Sequence, residues 1–162
     1  MKIEFRKPSD FKRGILFNLL EKAYSFDIRY KEHFLSNWQE CDDFFYDNLT
    51  IADSCCIITC LEDKAIGFVC WDPRNIPEYV ELGHNCIISE YKGLKYGKQQ
   101  LQNAISRIFE NTVKKIRVTT NRDLIAAQKN YESVGFNKIR VRENNTDTSF
   151  SGSYIDYEII CS

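Results

Sequence analysis

The chain has 162 residues, with 22 Lys and Arg against 23 Asp and Glu, for a formal charge of -1 at pH 7. Hydrophobic residues make up 43% and aromatic residues 14%, enough for a packed core and too much for a disordered chain. The even charge argues against a general nucleic-acid binder, which carries a basic face, and no stretch approaches the ~20 apolar residues of a membrane-spanning helix.

The length suits one domain over residues 1–162. The start, Met1 to Arg6, lacks the apolar run of an export signal. The seven cysteines are an odd number, mostly inside apolar runs. They read as reduced thiols, and the expected location is cytoplasmic. No C-x-x-C pair occurs and His33 and His84 lie far apart, so no metal site is expected.

Alternation over residues 2–6 predicts a first strand. Pro8, Ser9 and Asp10 open a helix, with Ser9 or Asp10 as caps, and Ile15, Leu16, Leu19, Leu20 and Ala23 follow at helical spacing. A second helix is predicted over residues 28–46. Residues 55–61 and 65–71 read as two strands joined by a tight turn at Glu62-Asp63-Lys64. Another strand spans residues 79–88. After a loop with two glycines comes the clearest helix, where Leu101, Ala104, Ile105, Ile108 and Phe109 make one apolar stripe. A strand at 115–120, a short helix at 124–134 stopped by Gly135, and strands near 138–141 and 154–160 complete the chain. The order predicts an α/β fold: a mixed central sheet of about seven strands flanked by about four helices.

The chemistry-bearing segment runs from Ile87 to Gly97. A glycine-bearing loop leads into a helix N-terminus, where free N–H groups form an anion site. Lys92, Lys95 and Lys98 add positive charge. This suits a pyrophosphate, and an ordinary loop with solvated lysines would read the same.

Lys92-Gly93-Leu94-Lys95-Tyr96-Gly97 resembles the pyrophosphate loop of the GNAT acetyltransferase superfamily, [Arg/Gln]-x-x-Gly-x-[Gly/Ala]. Lys92 stands at the Arg/Gln position and Gly97 at the last small one; Lys95 replaces the middle glycine. Ala127, Tyr131, Gly135 and Phe136 match that superfamily's A-x-x-x-Y-x-x-x-G-F segment. A core helix with Tyr131 merely packed would explain this second segment alone. The two in order are the more specific sign, and residues 79–136 carry the resemblance.

The resemblance implies acetyl transfer from acetyl-CoA, as co-substrate and without a metal, to a primary amine of a small molecule or peptide, by direct attack in a ternary complex. It implies pantetheine contacts from the backbone of Ile87 and Ile88, diphosphate contacts from Lys92, Gly93, Leu94, Lys95, Tyr96, Gly97 and Lys98, and a further contact from Asn121. Tyr131 would be the general acid beside the CoA thiol. Glu81 is the first candidate for general base, His84 the second and Glu78 the third. An exposed edge carboxylate and a core histidine remain the plain readings of Glu81 and His84.

On the acceptor side, Phe26, Tyr30, Phe34, Trp38, Phe44, Phe45, Trp71, Phe150 and Tyr154 offer aromatic walls, and Glu21, Asp27, Asp42 and Asp43 offer negative charge. The acceptor stays unidentified. Neither nucleic acid nor membrane is expected as a partner, and a monomer or a homodimer is expected. Two other readings compete. One is an acyl-CoA-binding sensor without catalysis, kept open by Lys95. The other is a nucleotide-binding α/β protein, weakened by the lack of G-x-x-x-x-G-K-[S/T].

Overall fold

A computed structural model describes residues 2–143 and 152–161. Seven strands form one sheet in the order β1-β2-β3-β4-β5-β7-β6. They are β1 (Ile3–Arg6), β2 (Cys56–Leu61), β3 (Lys64–Asp72), β4 (Val80–Ile87), β5 (Lys115–Asn121), β6 (Asn137–Glu143) and β7 (Ser153–Ile160). Among the described residues, only the β4–β5 pair is parallel. The helices are α1 (Ile15–Ala23), α2 (Ile28–Asp47), α3 (Leu49–Cys55), α4 (Tyr96–Phe109) and α5 (Ile125–Ser133).

The mixed α/β sheet expected from the sequence is therefore present, with five helices rather than about four. The additional one is α3, whose seven residues carry no apolar stripe and end where β2 begins. β2 and β3 are joined by Glu62 and Asp63, both at positive φ, as a two-residue hairpin of right-handed twist requires.

The sheet is covered on both faces. Along β3, Gly67 faces α4, where a Cβ would stand 3.1 Å from Gln100 Oε1. Cys70, an odd number of residues on, turns its thiol to Cys41 of α2. Leu16, Leu19, Leu20 and Ala23 of α1 and Leu101, Ala104 and Ile108 of α4 are buried against these faces. Each large side chain so buried contributes about 1.5–3 kcal/mol.

Helix α1 begins differently from the expectation. Ser9 and Asp10 belong to a separate 3-10 turn, Pro8–Asp10. The cap residue of α1 is Gly14, which has no side chain to offer. Asp42 of α2, fully buried, takes over: its carboxylate accepts from the N–H groups of Gly14 (2.8 Å), Leu16 (3.0 Å) and Phe17 (3.3 Å). The positive end of the α1 dipole explains why a buried carboxylate is stable there.

Candidate active site

The site follows from how β4 meets its neighbours. β4 pairs with β5 only at Val80↔Ile116 and Glu81↔Arg117, and beyond these residues the two strands part. On the other edge Ile88 N–H donates to Ile66 O at 2.8 Å and Ile88 O accepts from Tyr91 N–H at 3.0 Å, so the backbone of Ile88, expected to meet the pantetheine arm, is already engaged. The antiparallel alternation then points the N–H and C=O groups of Asn85 and Ile87 toward the parted side. A cavity of about 250 Å³ lies in the opening. Its walls are Gly83, His84 and Asn85 of β4, Thr119, Thr120 and Asn121 of β5, and Ala127 and Tyr131 of α5. Aromatic residues close it: Tyr24, Tyr30, Phe34 and Trp38 on one side and Tyr154 on the other.

Next to the opening the chain turns into α4. The first bond of this helix runs from Gln99 N–H to Lys95 O, which leaves the N–H groups of Tyr96, Gly97 and Lys98 without an intrahelical acceptor. They form the positive end of a helix dipole, suited to an anion. Gly97 also lets α5 come close, since a Cβ there would stand 3.1 Å from Asn130 Nδ2. Gly93 and Lys95 both have positive φ, 77° and 69°.

The sequence model of the Acetyltransferase (GNAT) family matches residues 16–136. The chain belongs to the GNAT acetyltransferase family. No curated protein matches it. Its fold is shared with a GNAT-family protein from Desulfovibrio desulfuricans, with a TM-score of 0.77, 16% identity, and coverage of 98% of this chain and 99% of that one. The ribosomal-protein-S18-alanine N-acetyltransferase of Escherichia coli follows, with a TM-score of 0.73, 16% identity, and coverage of 99% and 95%. A GNAT acetyltransferase from Elizabethkingia anophelis with acetyl-CoA bound has a TM-score of 0.68, 16% identity and coverage of 98% of each chain.

In this GNAT domain, Tyr131, His84 and Asn121 all line the cavity, whereas Glu81 does not. The register shows why. β3 advances two residues from Val69 to Trp71 while β4 spans three between their partners, Asn85 and Leu82. This bulge shifts the alternation by one residue. Glu81 therefore does not share a face with Asn85 and Ile87, as it would in an uninterrupted strand; it is exposed and pairs in register with Asp72 and Arg117. Glu78 is engaged by Lys114 at 2.9 Å.

Burial acts on the two cavity groups in opposite directions. It lowers the pKa of His84 below its ordinary 6.5, and it raises that of the Tyr131 phenol, with the Asn85 side chain acting the other way. Near pH 7 the imidazole is thus neutral and the phenol protonated, which fits a base and an acid.

The loop residues divide. Gly93, Leu94, Lys95 and Lys98 stand at the mouth of the α4 N-terminus, next to the free amides of Tyr96 and Gly97. The Lys92 ammonium, expected there, turns away: it donates to Ala23 O at the end of α1, 2.5 Å away, and sits 4.4 Å from the Phe26 ring centre. It neutralises a helix C-terminus, and its desolvation there lowers its pKa.

The four carboxylates considered for attracting an amine are also engaged. Asp42 caps α1. Asp27 caps α2 through Arg29 N–H. Glu21 pairs with Lys31 at 2.6 Å and Asp43 with Arg13 at 3.2 Å. Of the aromatics, Tyr30, Phe34, Trp38 and Tyr154 reach the cavity, Phe45 and Trp71 are core, Phe26 and Phe44 are exposed, and Phe150 lies outside the described residues. Among the described residues no cluster of three or more His, Cys, Asp or Glu could hold a metal ion, and no helix is long and apolar enough to cross a membrane.

Sequence reasoning missed Gln100. It is fully buried on α4 and bonded to both β3 and β4. The signal was available: Gln100 lies four residues before Ala104 and eight before Ile108, inside the apolar stripe.

Proposed function

We propose that this protein transfers an acetyl group from acetyl-CoA to a primary amine of a small molecule or peptide, by direct attack in a ternary complex. One observation carries the reading. Tyr131 and His84, a protonated phenol and a neutral imidazole, share a cavity that opens where β4 leaves β5, and the free N-terminus of α4 packs at Gly97 against Asn130 of α5, next to Tyr131. Acetyl-CoA bound to the Elizabethkingia relative of the same fold supports the donor.

In this reading the free N–H groups of Tyr96, Gly97 and Lys98 hold the diphosphate. The backbone groups of Asn85 and Ile87 that lack a strand partner hold the pantetheine arm and polarise the thioester carbonyl. Neutral His84 accepts the proton that the amine sheds as its C–N bond forms. Tyr131 gives its proton to sulfur as the C–S bond breaks. The aromatic walls from Tyr24, α2 and Tyr154 exclude water and seat the acceptor. Among the described residues, the cavity walls include no carboxylate, so this seat relies on shape and ring faces rather than on opposite charge. Cys41, Cys55, Cys56, Cys60, Cys70 and Cys86 are free thiols, which suits a cytoplasmic site of action.

Calorimetric titration with acetyl-CoA and CoA, with ATP and NAD as controls, tests the donor; an amine and peptide screen by thiol release tests the transfer. CoA-selective binding with thiol release is expected. Binding without thiol release to any amine would favour the sensor reading, and no CoA binding by the folded protein would sink both. Tyr131→Phe should lower kcat at least tenfold, within the ~10²–10⁴ usual for acid–base groups, and leave CoA affinity unchanged. Equal turnover would remove Tyr131 from the chemistry.

A further inference from the structure

Gln100 is an expensive residue for its place. It is 0% exposed, as is Thr59, against which it packs. A buried amide and hydroxyl stabilise less than apolar residues of the same shape unless they are fully bonded. Here they are, and the bonds dictate a direction.

Gln100 Nε2 lies 3.0 Å from Phe68 O and 3.2 Å from Cys86 O. Backbone carbonyls only accept, so this end of the amide must be the NH₂ group. Its Oε1 accepts from the Thr59 hydroxyl at 2.7 Å. Asn85 Oδ1 lies 2.8 Å from Nε2 and, facing a group that only donates, shares one of its two hydrogens with a backbone carbonyl. Asn85 consequently has its oxygen committed to the core and its NH₂ left for the other side. That side is the cavity, whose wall Asn85 shares with Tyr131.

We propose that Thr59, Gln100 and Asn85 are positioning residues that hold the Asn85 amide so that its N–H donates to the Tyr131 hydroxyl oxygen. With that lone pair engaged, the phenol proton points away from Asn85 and into the cavity. The inference rests on the reading of Tyr131 as the acid. In that step the amine nitrogen bonds to the acyl carbon and the C–S bond breaks. The pair left on sulfur takes the Tyr131 proton, and the phenolate, met by the Asn85 N–H, regains a proton from solvent. An N–H aimed at this oxygen steadies the phenolate and offsets the opposing effect of burial. Freed from Gln100, the same amide could turn its oxygen to the phenol and do the reverse.

The test replaces Tyr131 by 3,5-difluorotyrosine, whose phenol ionises near neutral pH, and follows its titration by ¹⁹F NMR in the full chain without acceptor. Asn85→Leu should raise the midpoint by about one pH unit, the equivalent of one lost hydrogen bond to the charged form. Asn85→Asp should raise it further, because the carboxylate repels the phenolate. Gln100→Met, similar in volume, should raise it although it does not touch the ring. A role confined to packing would lower the melting temperature and leave all three midpoints in place; that result overturns the proposal. A shift in the Asn85 variants alone would overturn the part assigned to Gln100 and Thr59. Asn85 lies on the cavity wall rather than in the core, so its variants keep the test open should Gln100→Met fail to fold. The readout is independent of turnover. Loss of the acid role, seen as unchanged kcat in Tyr131→Phe, is therefore distinguishable from loss of the aimed hydrogen bond.

Discussion

Lys95 has φ of 69° and ψ of 9° at the residue that caps α4. A Cβ makes this left-handed conformation cost about 1–2 kcal/mol relative to glycine. The resemblance to the GNAT loop expects glycine here, and the backbone has kept the glycine shape under a lysine. Lys95→Gly should raise stability by about 0.5–1 kcal/mol, since relief of strain outweighs the greater freedom of glycine in the unfolded chain. Urea denaturation measures this, and a loss of stability would mean that the ammonium is worth more than the strain. His84 offers a pH test. Its folded pKa is lowered by burial, so the unfolded chain binds the proton more readily. The stability due to its neutral form is present above pH 6.5 and is lost as pH falls through the lower folded value. His84→Gln should flatten the decline in urea midpoint between pH 7 and 5; parallel curves for the two proteins would show an imidazole that water reaches. The sequence named both residues, because a histidine on an apolar strand and a lysine at a glycine position stand out by type. It could not show that Lys92 serves α1, because the partner carbonyl, Ala23 O, is 69 residues away along the chain.

At the level of elements, α1 is held by a residue of α2. Periodicity reveals α1 through Leu16, Leu19, Leu20 and Ala23, and says nothing of how its N-terminus is satisfied. Asp42→Ala should cost about 2–3 kcal/mol, because one buried and two half-buried N–H groups lose their acceptor at once. A shift in denaturation midpoint with unchanged slope would express it, and a change under 0.5 kcal/mol would mean that water replaces the carboxylate. Strand β4 shows the other limit of pattern reading. Strict alternation pairs Glu81 with Asn85, and the bulge between the partners of Val69 and Trp71 breaks that pairing. A bulge leaves little trace in hydrophobicity because Gly83 and His84, which form it, belong to neither class. Helix α3 escaped for a related reason: seven residues are two turns, too few for a stripe to repeat.

Across the whole molecule, β5, β7 and β6 form the half of the sheet that α1 and α2 leave open, and charge joins them. Asp156 of β7 accepts from Thr119 of β5 at 2.6 Å and from Arg140 and Arg142 of β6 at 2.5 and 2.7 Å. These donors, Arg142 first, hold its carboxyl well below the usual carboxylate range. The folded pKa is depressed, so the contribution is fully present above about pH 4 and is lost progressively as pH falls from there through the folded value. Both arginines are largely exposed, which limits the worth of the pairs to solvent-screened values. Asp156→Asn should therefore cost about 1–2 kcal/mol at pH 7 and distinctly less at pH 2; an equal cost at both pH values would assign the effect to shape instead of charge. Composition, periodicity and two spaced motifs determined by themselves that the fold is α/β and that most of its strands and helices lie where they do. These are local properties, written in residue order with periods of 2 and 3.6. Tertiary structure alone decided that β4 and β5 part after Glu81, that Glu81 stays outside the cavity while His84 enters it, that Lys92 and Asp42 serve α1, and that Gln100 and Thr59 turn the Asn85 amide toward Tyr131. Each of these depends on a hydrogen bond or register between segments far apart in the chain, and no local pattern specifies such a partner.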